Sequence, residues 1–552
     1  MRATFVLNVL LVASVWAQPP LVYNRAVLNA ASFVPQGVPG GGIARGSIFS
    51  IFGTRFGPPS PVPVSVFPLD TTLGGVSITI TQGNTTVNAL PLYASNTQVN
   101  AIMPSNAPLG MASLRVVSGR TQGNPVPVRI VDNSVGIFTA TQAGVGPGVL
   151  QNFIAPDNQP YNAPTVTAQP GQVITLWATG LGPAPNGIDN VAPPAGNLPA
   201  TVEVFVGGKS ASVQYHGRTP CCSGVDQIVF QVPADAPLGC WVPVLVRTGG
   251  ATVSNAVTMA IQSDTSTCSE TLNRLAPAVV NGGKAGAFVA VRASTHEDVG
   301  TRVPIDLTVD YHAAILYDMK SSLFAFNAAV SLPPAGTCTT YSVAGDLLAG
   351  DLLPGGVPTA RLLDAGPAFN LTGPRGSRTL TSVVPSFRIG YLGGSITGNL
   401  FPGTLFLEPG AYTLSGFGGA DVGAFQASLT VPQPLTWTNR DQIMTVSRSQ
   451  PLTISWTGGT DQQVGIVGFG EDLPTNASTS FVCVAQPGTT SFTIPPYILA
   501  NLPATRRNIL QSKSVIYFVS VPRSSATPLT ASGLDAGVAM FTYINGKTVV
   551  FQ

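Results

Sequence analysis

A chain of 552 residues is longer than a single hydrophobic core organises, so it divides into several domains. Its net charge of +2 and charged fraction of 9% leave no field to gather nucleic acid, and an apolar share of 44% excludes a disordered chain. Short β-branched runs, punctuated by 60 glycines and 49 prolines, point to an all-β protein of tandem immunoglobulin-like or fibronectin-like β-sandwich domains.

The first element is an export signal over residues 1–17. Arg2 supplies the positive charge, Phe5 to Val15 the apolar stretch, and Val15-Trp16-Ala17, with Val15 and Ala17 at the positions that are read, the site for a cleavage after Ala17. The apolar stretch is too short to span a bilayer well, so no membrane span is expected after cleavage. The expected address is secreted or periplasmic, on the outer side of the envelope.

Next comes a phrase written twice. "GSIFSIFGTRFGP" (Gly46 to Pro58) matches "GQVITLWATGLGP" (Gly171 to Pro183), "QVNAIMPSNAPLG" from Gln98 matches "QIVFQVPADAPLG" from Gln227, and "NPVPVRI" from Asn124 matches "NAVTMAI" from Asn255. The offsets of 125, 129 and 131 drift as loop insertions make them drift. Two β-sandwich units follow, residues 18–135 and 136–263, each of ordinary domain size. In both copies a nearly continuous apolar run reads as a strand buried on most of both sides. Gly and Pro after it stop the ladder.

These phrases, with "LNAASF" at Leu28, "LGGVSITI" at Leu73, "YASNTQVNAIMP" at Tyr93 and "SVGIFTA" at Ser134, resemble a family of secreted bacterial proteins. That family is expanded in Acidobacteria and is recognised mainly through this twin-unit region. The first phrase is also similar to the IPT/TIG immunoglobulin-like fold. The resemblance covers roughly residues 22–263 and implies the fold, with no established activity and no catalytic residues to carry over. In that family the twin units often lie at the C-terminal end, whereas here they come first.

Beyond them, a β-rich domain is expected over 264–432 and a C-terminal immunoglobulin-like sandwich over 433–552. "GAFVAVRA", "RVPIDLTVDYHAAILYD" and "FAFNAAVSL" read as strands, and Leu407 to Pro432 as a hairpin with a Gly-rich turn. "QPLTISWTGG" and "SFVCVAQPGTTSFTIPPYIL" alternate apolar and polar residues. Helix is expected to be scarce, with one short turn in "PPYILANLP".

Candidate chemistry is thin. Cys221, Cys222, Cys240, Cys268, Cys338 and Cys483 fit disulfides of an oxidising compartment. Without CxxC pairs or ligand-spaced histidines, no metal site and no cofactor is expected. Adjacent Cys221 and Cys222 are expected to bridge outward, with Cys240 and Cys268 the nearest partners in sequence. Asp310 and His312, two apart on a strand, share a face and form the one catalytic pairing on offer. His216 reads as capping the loop beside the cysteine pair. Asp298, Asp306, Asp310, Asp346, Asp351 and Asp364 form an acidic group that reads as solvated loops, with calcium or glycosidase work as the rivals. For stacking on sugar rings, Trp437 and Trp456 are the candidates, because their neighbours are polar; burial in a core is the competing reading. Trp177, aligned with Phe52 in the apolar strand, reads as core, and Trp241 as packed on a disulfide.

The expectation is therefore an exported non-enzymatic binding or adhesion protein, whose partner is a polysaccharide or a cell-surface protein and not a nucleic acid. The alternatives are a polysaccharide-acting hydrolase with its site in 264–432, and a self-assembling surface protein.

Overall fold

In a computed structural model, residues 18–552 are described apart from 185, 265–266, 271–272, 298–304, 321, 323, 325, 329, 345–360, 383–389, 399–402, 459–461, 507–511 and 523–525. The expected signal segment and Asp298, Asp346 and Asp351 lie outside the described residues. The protein is all-β, about 52% strand and 3% helix.

Residues 21–131 form two facing sheets. Leu21–Asn29, Ile48–Thr54, Gln98–Ile102, Leu90–Ala94 and Val62–Pro63 make one; Gly110–Ser118, flanked by Val76–Gln82 and Val126–Val131, centres the other. Phe49, Ile51, Val99 and Ala101 point inward to meet Ile78, Ile80, Leu114 and Val128. Residues 136–261 repeat the plan. Val173–Thr179, Asp226–Gln231 and Lys209–Arg218 lie side by side, and Ile174, Leu176, Ile228 and Phe230 enclose a core with Val204, Val244 and Val257. The turn after the first phrase is also repeated. Arg55 and Gly180, at matching positions, both take positive φ. At Gly180 a Cβ would lie 2.2 Å from the Ser134 carbonyl oxygen, so only glycine fits there.

The two units are joined by buried polar bonds. Arg218 pairs with Asp226 and donates to the carbonyls of Gly46 in the first unit and Gly182 in the second. Ile48 N–H donates to Thr179 Oγ1 at 2.8 Å, and Ser105 Oγ donates to Asp189 Oδ1 at 2.6 Å. Ile48 and Ile102 pack there with Phe138 and Val225 of the second unit.

Downstream, strands from both sides of the division expected at 432/433 share one sheet, of 14 strands among the described residues. Gly283–Glu297 pairs antiparallel with Ile305–Met319 along its whole length and parallel with Ala536–Thr548. Thr337–Ala344 pairs with Ala477–Val484, and Cys338 bonds Cys483 across that pair. The expected hairpin is present as Gly410–Gly416 with Phe425–Val431, and a one-turn helix spans Pro496–Leu499. "FAFNAAVSL" is not a strand: its described residues turn, with Val330 and Ser331 N–H both donating to the Asn327 carbonyl. A run of apolar residues there packs against Trp241 and the Cys240–Cys268 bridge instead of joining a ladder.

The cysteine pairing differs from the expectation. Cys221 bonds Cys222, and Cys240 bonds Cys268. The adjacent pair sits in the turn between Lys209–Arg218 and Asp226–Gln231, not in a strand, so its side chains are free of the alternation that would send them to opposite faces. His216 lies within the strand Lys209–Arg218, not in that turn. Trp241 is buried beside Cys240 and Cys268, as expected.

Candidate functional site

Strand alternation decides which side chains of the second unit face outward. With Ile174, Leu176 and Ala178 committed to the core, Val173, Thr175 and Trp177 point the other way. The neighbouring strand sets Gln227 beside Trp177, Val229 beside Thr175 and Gln231 beside Val173. One strand further, Tyr215 lies beside Val229. On the opposite edge Gln151 pairs with Thr175, and Tyr161 bridges to Gln151. None of these side chains carries a charge.

Trp177 is half-buried rather than core. Its indole N–H donates to Gln151 Oε1 at 2.8 Å, and Gln151 Nε2 donates to the Gln159 carbonyl at 3.1 Å. The indole is thus tied to an amide that is itself anchored to the backbone. Tyr161, 49% exposed, extends the face, with Phe324 at 6.4 Å edge-on. Tyr215 is locked by its hydroxyl, which donates to the Arg218 carbonyl at 2.8 Å. The result is a rigid, neutral surface of aromatic rings and primary amides. Such a surface offers apolar contact to C–H groups and both donors and acceptors to hydroxyls.

The residues expected to stack on sugars are elsewhere. Trp437 and Trp456 lie opposite each other on paired strands, 5% and 4% exposed. Both rings pack on Phe518, at 6.0 and 5.5 Å. Their polar neighbours occupy the outward positions of the same strands, so the rings face the core and present nothing to a ligand. Polar neighbours at i±1 mark a buried residue on a half-exposed strand, not an exposed one.

Asp310 and His312 do share a face, and both are buried. The carboxylate is consumed structurally. It accepts from Arg292 Nε and Nη2 at 2.8 and 2.9 Å, and from the N–H groups of Phe406 and Leu407 at 2.6 and 2.7 Å. Neither ring nitrogen of His312 has a hydrogen-bond partner. Burial, with a smaller push from Arg378, drives the imidazole down to about 4, against the pull of Asp310. His312 thus neither bonds Asp310 nor meets solvent, and sits as a neutral ring packed edge-on against Phe406 inside the sheet. Of the acidic group, Asp364 caps backbone N–H groups at Gly366 and Ala420, and Asp306 pairs with His296 at 2.6 Å. Among the described residues no cluster of three or more His, Cys, Asp or Glu is arranged to hold a metal ion, and no helix is long and apolar enough to cross a membrane.

Trp177, expected in the core, is instead on this face, and Gln151, Tyr161 and Tyr215 beside it are not among the residues expected from sequence. The signal was present in the repeat itself: Phe52 and Trp177 are each two residues beyond a small hydroxyl residue, Ser50 or Thr175, an alternation masked by apolar neighbours on both sides.

No protein-family model and no curated protein matches the chain. Among solved structures, the chain is similar to the extracellular region of plexin A4, at 11% identity and a TM-score of 0.16, covering 45% of this chain and 18% of that one. It therefore spans less than a fifth of the plexin region. It is similar to SGBP-B of the Bacteroides ovatus mixed-linkage glucan utilization locus, solved with a heptasaccharide, at 10% identity and a TM-score of 0.13, covering 86% and 90%. Tandem immunoglobulin domains A164-A165 of titin match at 8% identity and a TM-score of 0.12, covering 40% and 90%. At such scores none of these likenesses bears on function.

Proposed function

We propose that the protein is an exported, non-enzymatic binding protein of the twin-unit secreted bacterial type, with IPT/TIG-like units over 18–135 and 136–263. Its ligand is a neutral polysaccharide, held on the outer face of the second unit. The observation that carries this reading is Trp177: a half-buried indole, fixed by Gln151, in a sheet face with amides and no charge. Ring-on-ring contact supplies apolar burial, and amides replace the water bonds of sugar hydroxyls. The lack of charge makes binding insensitive to salt. Three disulfides suit an oxidising address outside the cytoplasm.

The test is retention of the purified exported protein on insoluble cellulose, chitin, mannan and curdlan in 1 M NaCl. Retention on at least one, lost by about tenfold or more in Trp177→Ala and largely kept in Trp177→Phe, is the expected result. No retention on any of the four, or retention indifferent to Trp177→Ala, overturns the reading.

A further inference from the structure

We infer that the first unit carries a second, smaller copy of this face, built on Phe52, Tyr93 and Gln98, so that one molecule grips a neutral polysaccharide at two points. The inference rests on the polysaccharide reading above and extends it to the other unit.

The correspondence goes beyond sequence likeness. Phe52 lies opposite Gln98 on the neighbouring strand, as Trp177 lies opposite Gln227. Ser50 lies opposite Asn100, as Thr175 lies opposite Val229. In the third strand the ladder slips by one residue between Pro91 and Tyr93, and likewise between Val213 and Tyr215. The slip brings Tyr93 beside Asn100 and Tyr215 beside Val229. A bulge re-aims the side chain that follows it, and here both bulges put a tyrosine on the outer face, in the row next to the aromatic-and-glutamine pair. A sandwich needs no tyrosine there for its core, because the inward positions are already filled by Phe49, Ile51, Val99 and Ala101.

The surroundings are also alike in kind. Phe52, Tyr93, Gln98 and Asn100 are all half-buried and uncharged. Gln98 Nε2 and Ser50 Oγ both donate to Asn100 Oδ1 at 2.9 Å, fixing the amides beside the ring. Phe33 stands 6.3 Å from Phe52 and widens the apolar surface.

Two differences set the order of strength. Phe52 offers a smaller ring than Trp177. The end of the face formed by Val173 and Gln231 in the second unit corresponds to Ile48 and Ile102 in the first, and those two are covered by Phe138 and Val225 of the second unit. The first face is therefore shorter and the weaker of the two. The buried bonds of Arg218 and Thr179 hold the units in one arrangement. A fixed pair of weak sites gains affinity for a polymer without new contacts.

Depletion isotherms on cellulose, chitin, mannan and curdlan test this with wild type, Phe52→Leu, Trp177→Ala and the double variant. Phe52→Leu keeps apolar volume while removing the ring, and an unchanged melting temperature checks its folding. The expected result is a three- to tenfold loss for Phe52→Leu, a larger loss for Trp177→Ala with measurable residual binding, and no binding by the double variant. If Trp177→Ala abolishes binding while Phe52→Leu matches wild type, the second face is overturned and the first stands. If wild type binds none of the four, both fall.

Discussion

His312 makes the large sheet sensitive to acid, and the size of the effect follows from its setting. The side chain is 1% exposed, with neither nitrogen bonded. Facing it are Asp310, whose charge is shared with Arg292, and Arg378, whose guanidinium lies 5.2 Å above the Phe406 ring. The imidazole is pushed from 6.5 down to about 4. Above pH 6.5 folded and unfolded chains both hold it neutral. As pH falls from 6.5 towards 4, the unfolded chain takes up a proton that the folded chain refuses. The unfolded state binds more protons in this window, so stability is full above 6.5 and is lost as pH falls through it. The whole difference between 6.5 and about 4 amounts to about 3 kcal/mol. Hydrogen exchange of peptides covering Ile305–Met319 reads the opening of this strand directly. Corrected for intrinsic rates, protection is expected to drop about a hundredfold between pH 7 and 4. His312→Leu removes the titrating group, so its protection is expected to be flatter by that amount. Parallel profiles for the two proteins would refute the reasoning.

Two further outcomes follow from buried groups. Arg218→Leu leaves the Asp226 carboxylate buried and strips donors from the Gly46 and Gly182 carbonyls; a cost of about 3–5 kcal/mol in urea unfolding is expected, with much of it recovered by adding Asp226→Leu, and a cost under about 1 kcal/mol counts against the pair as a lock. Trp437→Ala empties a core site against Phe518 and is expected to cost about 3–5 kcal/mol while leaving polysaccharide retention of the folded protein unchanged; lost retention at unchanged stability would return Trp437 to the binding role.

The repeat made the first half of the fold legible. Matching turns at "FGP" and "LGP" required matching strands, and the chain supplied them. The second half was less legible because its pairing is remote. Gly283–Glu297 takes Ala536–Thr548 as its parallel neighbour, and nothing local in either segment names a partner some 250 residues away. Local pattern fixes a strand's faces but not its neighbours. Cys221 and Cys222 were misread for a related reason. Outward bridging holds for adjacent cysteines on an extended backbone, whereas the Pro220-containing turn lets the two sulfurs meet.

The tryptophans show why the site was harder to read than the fold. On a strand the neighbours at i±1 lie on the opposite face, so their residue types report the reverse of a side chain's own burial. Polar residues around Trp437 and Trp456 thus signalled rings turned inward, while the apolar residues around Trp177 signalled a ring turned outward. In the twin units the phrase divides its labour by parity. Phe49 and Ile51, like Ile174 and Leu176, hold the sandwich together. Ser50 and Phe52, like Thr175 and Trp177, sit on the other side of the same strand, beside glutamines that need no place in a core. Ser50 and Thr175 are themselves buried, but at the half-buried Phe52 and Trp177 positions a repeat that preserved only the fold would be free to place a long polar side chain, as exposed strands commonly do. A ring, an adjacent glutamine and a bulge-aimed tyrosine recur on both faces although neither core needs them, and the proposed binding role rests on that recurrence.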